Sequence, residues 1–511
     1  MKVKFEDLKN AVWCWQCENV HILGLEAEHI GPCSAMFEGF NRVADVFANL
    51  YYLLKGQNFK DFIYQLDRST GNRVLFNKTR RKVEAFWGSE MPQDLKDSFH
   101  CNIEEPKRLF YDNTIEEAVK PVELLFYMMS WLMTLDDYFG FFYSDYLIIE
   151  DYCPIVTRRG ELVFRLQNEV TMRLNDLRSA VSRNNARVGV DFLNIANWCN
   201  NVDVFTDDSN YRVSHIPIHS TMEKRECQDE KFGLIPGEIM EPQNIAMADT
   251  GEAWGGKRRF AFTGINEPEY HLRKEQALKG MLKNCAVIVM PELATPLDYQ
   301  LAYGDLLSQE RCPQLLLLAP GSFHMRRREL FLQTHHLPLM RSCRMAGSEN
   351  PIYNAALIYD RRGNILAPVA KTNRFEYDGL VEDITYECGL VSIFETRIGR
   401  IAVLICVDFL LTGMQRLLSD RMVDFVFVMS MTPRPHEGEF KRAAERLSNE
   451  IKAIIIICNN NALWKQHRER PNIVIAVPGA KAKHYREEYC IISLDTILSL
   501  IPMRSGSKRL R

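Results

Sequence analysis

Apolar residues fall into two patterns along this chain, and the change comes near its middle. In the first half they recur at helical spacing, as in SAMFEGFNRVADVFANLYYLLKGQ, ELVFRLQNEVTMRLNDLRSAVSR and VDFLNIANWCNNV, which places one apolar stripe along an α-helix. A mainly helical region is therefore predicted over residues 1–240. Further on they form short runs: RRFAFTGI, CAVIVM, QLLLLAPG, NAALIYD, RIAVLIC, DFVFVMS, AIIIIC and EEYCIISL. Helical segments such as EYHLRKEQALKGMLKN separate these runs, and strands alternating with helices predict a layered α/β domain over 257–500. Between the two halves, FGLIPGEIMEPQNIAMADTGEAWGGKRR is rich in Gly and Pro and sustains neither period. It is expected to be a linker or long loop, with the boundary near Lys257. The last residues, 501–511, form a basic tail.

Composition narrows the classes of partner. The 511 residues are 46% hydrophobic and 25% charged, with a formal charge of -3, so global charge points to neither nucleic acid nor a membrane surface. The longest apolar stretch, VELLFYMMSWLMTLDDYFGFFY, carries Glu123, Asp136 and Asp137. Its clean part is roughly 11 residues, against about 20 needed to cross a bilayer, so it is expected to be a buried helix and the protein to make no use of a membrane. The start, MKVKFEDLKNAVWCWQCEN, lacks the apolar core of a secretory signal. Fourteen cysteines scattered through so long a chain suit a reducing, cytoplasmic compartment better than a disulfide scaffold.

Three reactive side chains stand at or near strand ends, where loops expose groups on a rigid scaffold. Glu292 closes CAVIVMPEL, Lys371 lies in NILAPVAKTNRF, and Cys406 ends IAVLIC, two places before Asp408. Taken singly, each has a plain structural reading: a solvated glutamate, a solvated lysine, a cysteine in the core. Taken in order they carry more. VIVMPELATP, LLLLAPGSF, NAALIYDRRGNILAPVAKTNRF, ETRIGRIAVLICVDF, and then MVDFVFVMSMTP with KRAAERLSNEIKAIIIICNNNA resemble the nitrilase (carbon–nitrogen hydrolase) superfamily, from about Phe260 to about Ser499.

The resemblance implies a four-layer α-β-β-α sandwich, association into dimers or larger homo-oligomers, and hydrolysis of a small-molecule amide, less often a nitrile, with no cofactor for catalysis. It assigns Cys406 as the nucleophile, Glu292 as the group that takes and returns protons, and Lys371 as the stabiliser of the oxyanion. A second glutamate is expected between Lys371 and the nucleophile. Glu376, Glu382 and Glu387 are available, and Glu382 has the spacing before Gly389 that suits the family best. The sequence departs from the family at Val407, where an aromatic residue or Glu is usual, and at LLTGMQ, where a Pro-Glu pair is missing. These departures leave the substrate class open. A Cys-His pair using His436 or His324 as base is the competing arrangement, and nothing local favours it.

A second constellation lies at the N-terminus. In CWQCENVHILGLEAEHIGPC, Cys14, Cys17, His29 and Cys33 have a spacing compatible with a closed, structural Cys3His zinc site, with His21 as an alternative ligand. A hydrophobic segment that happens to contain thiols, with Trp13 and Trp15 bracketing Cys14, is the equal alternative, and redox chemistry a lesser one. Arg326 to Arg328 read as a solvated face, or else as a clamp for an anionic group. A functional reading of another class also stands: the nitrilase-like half serves as an oligomerising or ligand-sensing module, as in multi-domain defence proteins, while the helical half binds nucleic acid or protein.

Overall fold

The computed structural model describes residues 230–237, 242–252, 256–334, 352–377, 379–384, 389–461 and 470–502, with shorter pieces between residues 62 and 90, 126 and 134, and 151 and 221. The chain divides into two compact units. One takes Met1–Ile148, Ile155–Leu166 and Ser182–Val204, and the other Ile149–Pro154, Gln167–Val181 and Phe205–Arg511.

In the first unit the helix Thr70–Glu90 packs Phe76 edge-on to Phe62 and Phe126. This unit also holds a three-stranded antiparallel sheet of Ile155–Val156, Leu162–Phe164 and Val202–Val204. These last two strands lie in or beside segments expected to be helical. The sequences LVF and VDV are rich in branched and aromatic residues, which favour a pleated strand over a helix. Cys14, Cys17, His29 and Cys33 lie outside the described residues, as do 503–511 of the basic tail.

The second unit is built on two seven-stranded sheets. One runs Lys483–Tyr485, Ile473–Ala476, Ile454–Asn459, Phe425–Ser430, Gly399–Ile405, Gly389–Thr396, Tyr211–Pro217, and its middle three strands are parallel. The other runs Phe323–Arg326, Ile352–Tyr359, Leu317–Ala319, Val287–Val289, Lys231–Leu234, Cys490–Ser493, and Ile365–Ala370 pairs with Ile352–Tyr359. Side chains alternate across a strand, and the second sheet uses both of its faces. Val287, Val289, Leu317, Ala319, Ala356 and Ile358 join one core with the first sheet. Ile288, Met290, Leu318, Ala355 and Leu357 join another with Leu278, Met281, Tyr303 and Leu307 of the helices Pro268–Met281 and Leu297–Gln309. The helices Thr412–Asp420 and Gly438–Ile451 cover the first sheet with Met414, Leu417, Ala444 and Leu447. Phe232 meets Phe425 and Phe427 edge-on between the sheets. The layering is α-β-β-α, and strands buried on two sides explain the unbroken apolar runs.

The segment expected to be a linker contains a buried strand. Lys231–Leu234 lies parallel to Val287–Val289 and antiparallel to Cys490–Ser493. Four residues show no period, and Gly233 is there for space: a Cβ would lie 2.6 Å from the Met281 sulfur. With Tyr211–Pro217, this strand carries the layered unit well ahead of Lys257. RRFAFTGI is a strand as expected, but it belongs to neither large sheet. Arg258–Ile265 pairs with Ile245–Glu252 and with Leu380–Glu382, forming with Glu376–Tyr377 a separate four-stranded sheet.

At the start of the Gly399–Ile405 strand, Arg400 is fully buried. Its Nε donates to Glu395 Oε1 at 2.8 Å, which His215 Nδ1 also meets at 2.7 Å, and its Nη1 donates to the Arg421 carbonyl at 2.9 Å. A Cβ on Gly399, whose φ is +136°, would lie 2.8 Å from Asp424 Oδ2. The Gly-Arg pair of the sequence motif is thus structural, and it stands at the far end of the strand from Cys406.

Candidate active site

Strand ends from both large sheets and one strand of the small sheet deliver the reactive groups. Glu292 follows Val287–Val289, Lys371 follows Ile365–Ala370, Glu382 ends Leu380–Glu382, and Cys406 opens a 3-10 turn, Cys406–Leu410, directly after Gly399–Ile405. All four are between 1% and 4% exposed. Lys371 Nζ donates to Glu292 Oε1 at 2.7 Å and to Glu382 Oε2 at 2.6 Å. The Cys406 thiol lies beside the Glu292 carboxyl, near enough for each to shift the other's hold on its proton, and beside the Met431 backbone N–H.

Two tight corners aim these groups. Cys406 has φ +50° and Leu293 has φ +53°, left-handed conformations that cost a non-glycine residue on the order of 1 kcal/mol or more. Around Leu293 the corner is held from outside: Asn460 Nδ2 donates to the carbonyls of Glu292 and Leu293, at 3.2 and 3.4 Å. The Lys371 loop is held by Asp408. Its Oδ2 accepts from the Thr372 N–H at 2.7 Å, and its Oδ1 accepts from Thr372 Oγ1 and Asn373 Nδ2, each at 2.9 Å. The aspartate two places after the cysteine thus ties the Cys406 turn to the lysine's loop.

The electrostatics follow from burial and from one cation among two carboxylates. Burial pushes the Glu292 carboxyl up, and the Lys371 charge offsets only part of that. Burial opposes the Lys371 ammonium, yet Glu292 and Glu382 outweigh it and hold the lysine well above its ordinary value. Burial opposes the Glu382 carboxylate too, but Lys371 and the His324 hydrogen bond outweigh it and hold this group well below the usual range. Burial and the neighbouring Glu292 push the Cys406 thiol well up. The thiol therefore keeps its proton at rest.

The structure brings together Glu292, Lys371, Cys406 and, of the three glutamates considered, Glu382. Glu376 is exposed and ion-paired with Lys257, and Glu387 lies outside the described residues. His436 sits beside Glu437 at 3.3 Å. Neither ring nitrogen of His324 is available to the thiol, because Nδ1 accepts from the Phe262 N–H and Nε2 meets Glu382. Arg326 and Arg328 are exposed and Arg327 half-buried. Sequence reasoning missed Asn354, whose Nδ2 donates to Glu292 Oε1 at 3.0 Å and Glu382 Oε1 at 2.9 Å. Its one signal is a polar residue opening the apolar run NAALIY.

An apolar wall adjoins these groups. Phe260, Phe262, Leu293, Phe323 and Met431 cluster with half-buried Phe375 and Leu380, and Lys371 Nζ stands 6.0 Å from the Phe375 ring centre. A cleft of about 610 Å³ lined by Tyr270, Lys274 and Tyr489 contains none of the reactive groups. Among the described residues, no three His, Cys, Asp or Glu side chains are grouped to hold a metal ion, and no helix is long and apolar enough to cross a membrane.

Solved structures that match this chain include members of the nitrilase superfamily. Saccharomyces cerevisiae Nit3, a member of branch 10 of that superfamily, is 14% identical over 53% of this chain and 93% of its own, with a TM-score of 0.34. An amidase from Nesterenkonia sp. is 12% identical over 54% and 94%, with a TM-score of 0.32. The glutamine-dependent NAD+ synthetase of Acinetobacter baumannii is 15% identical over 52% and 46%, also at 0.32. No family model and no curated protein sequence matches the chain.

Proposed function

We propose that the second unit is a carbon–nitrogen hydrolase of the nitrilase superfamily that cleaves a small, uncharged amide through a thioester on Cys406. The observation that carries this reading is the buried run of contacts from the Cys406 thiol to Glu292, to Lys371 and to Glu382. One ammonium already balances one of two carboxylates. A thiolate beside an ionised Glu292 would add a second uncompensated negative charge in a site closed to water, which is costly. The thiol therefore loses its proton only by handing it to Glu292, whose raised affinity for a proton suits that task.

The steps follow from this transfer. As Cys406 Sγ bonds to the amide carbon, the thiol proton passes to Glu292 and the carbonyl π electrons move onto oxygen. Lys371 and the backbone N–H of Val407 stabilise the resulting oxyanion. Collapse of the intermediate breaks the C–N bond, and Glu292 returns its proton to the departing amine, leaving the thioester. Water then attacks the acyl carbon, giving one proton to Glu292. Release of the carboxylic acid restores the thiol. Asp408 acts by position alone, holding the lysine's loop.

The apolar wall supports a neutral acyl group, since the carboxylates and ammonium of the site are engaged with one another. A panel of small primary amides tests the proposal by ammonia release. The parent is expected to turn over at least one amide with an apolar acyl group, and Cys406→Ala to be inactive. Glu292→Gln and Lys371→Met are expected to lose on the order of 10²–10⁴-fold. Turnover unchanged in Cys406→Ala would contradict the proposal.

A further inference from the structure

His324 stands on the edge strand Phe323–Arg326 of a large sheet, yet both its ring nitrogens are committed to the small sheet. Nδ1 accepts from the Phe262 backbone N–H at 3.0 Å. A backbone N–H can only donate, so Nδ1 carries the lone pair and the ring proton sits on Nε2, which donates to Glu382 Oε1 at 3.1 Å. The side chains of His324 and Glu382 are each 2% exposed. The imidazole also lies nearly flat against the Phe262 ring, with centres 5.7 Å apart and planes 23° apart.

We propose that His324 is a positioning residue for the Glu382–Lys371 pair, coupling the small four-stranded sheet to the reactive groups. The proposal rests on the hydrolase reading, and it replaces the role of thiol base that the sequence left open for this histidine. Glu382 accepts four hydrogen bonds in two pairs. Oε2 takes Lys371 Nζ and the Phe375 N–H, and Oε1 takes Asn354 and His324. Without the His324 bond, Oε1 keeps only the amide of Asn354, which also reaches Glu292. The carboxylate can then rotate, and the lysine that it holds at 2.6 Å drifts from the place where the oxyanion forms. A polar group that orients a reactive side chain acts on the chemical step rather than on substrate binding.

The titratable groups about the Glu382 carboxylate are Lys371, His324 and, beyond the lysine, Glu292. Two substitutions separate the two bonds of the ring. In His324→Asn the shorter amide can reach the Phe262 N–H but not Glu382. In His324→Gln the amide nitrogen falls near the Nε2 position and can still donate to Glu382.

The test uses the full chain and a small primary amide, with kcat and KM followed across pH, thermal melting, and the rate at which iodoacetamide labels Cys406. In His324→Asn, kcat is expected to fall about tenfold or more with KM within about twofold. Its acid limb, which Glu292 sets, is expected to move to higher pH, because a lysine that has drifted offsets less of the effect of burial on the Glu292 carboxyl. His324→Gln is expected to recover most of the rate and the parental acid limb. Parental kcat and acid limb in His324→Asn would overturn the proposal, as would equal losses in both variants that track a fall in melting temperature. If the parent turns over no amide, the hydrolase reading fails by itself and the labelling rate decides. A rate changed by Asn and kept by Gln supports the positioning role, and one rate in all three proteins overturns it.

Discussion

Asp408 shows how much one buried side chain organises. Its carboxylate is pushed up by burial and brought partly back by Asn373 and Thr372, and those same bonds fix the loop that starts at Lys371. Asp408→Ala leaves these donors without their acceptor, so a loss of about 1–3 kcal/mol in stability is expected from chemical denaturation. A fall in kcat should accompany it. Glu292 gives a pH prediction of definite sign. As the proposed base it must be ionised to receive the thiol proton, and its carboxyl is raised above 4.5, so kcat/KM should fall as pH drops through a value above 4.5. A pH profile with an acid limb at or below 4.5 would count against Glu292 as base. The reactive groups were legible in the sequence because Glu292, Lys371 and Cys406 sit at strand ends inside ordered motifs. Asn354 and His324 were not, because each meets Glu382 from strands 28 and 58 residues away, a distance over which local pattern carries no information.

At the level of elements, the long apolar runs RIAVLIC, DFVFVMS and AIIIIC identified the parallel strands directly, since burial on two sides leaves no room for polar alternation. KFGL escaped notice because four residues with a glycine show no period, and its place beside Val287–Val289 is a matter of topology. The same limit applies to RRFAFTGI, whose β character was plain and whose partners were not. The network linking Tyr211–Pro217, Gly389–Thr396 and Gly399–Ile405 gives an element-scale prediction. Burial lowers His215 below 6.5 despite its bond to Glu395. The unfolded chain therefore binds a proton below pH 6.5 that the folded chain refuses, and stability falls as pH drops from 6.5 toward the folded value. His215→Gln should reduce that slope in denaturant titrations, and an unchanged slope would place the pH dependence elsewhere.

For the molecule as a whole, the strands Tyr211–Pro217 and Lys231–Leu234 make the second unit larger than its motifs suggest. A chain begun at Lys257 would lose the strand that joins Val287–Val289 to Cys490–Ser493 and would expose the Phe232 contacts of the core. It is expected to be insoluble or to lack a cooperative melt. A chain begun at Ile149, which keeps Val170 and Leu174 in that core, is expected to melt cooperatively. Cooperative folding of the shorter chain would show that these strands are dispensable.

The central claim is that the Cys406 sulfur carries the acyl group during hydrolysis. Rapid acid quench of the full chain with a small apolar amide such as butyramide, followed by peptide mass mapping, tests it directly. The account predicts an acyl mass on the peptide containing Cys406 that appears as the amine is released, decays with formation of acid, and is absent from Cys406→Ala. Acid formation with no acyl mass on that peptide, and with undiminished turnover in Cys406→Ala, would contradict it.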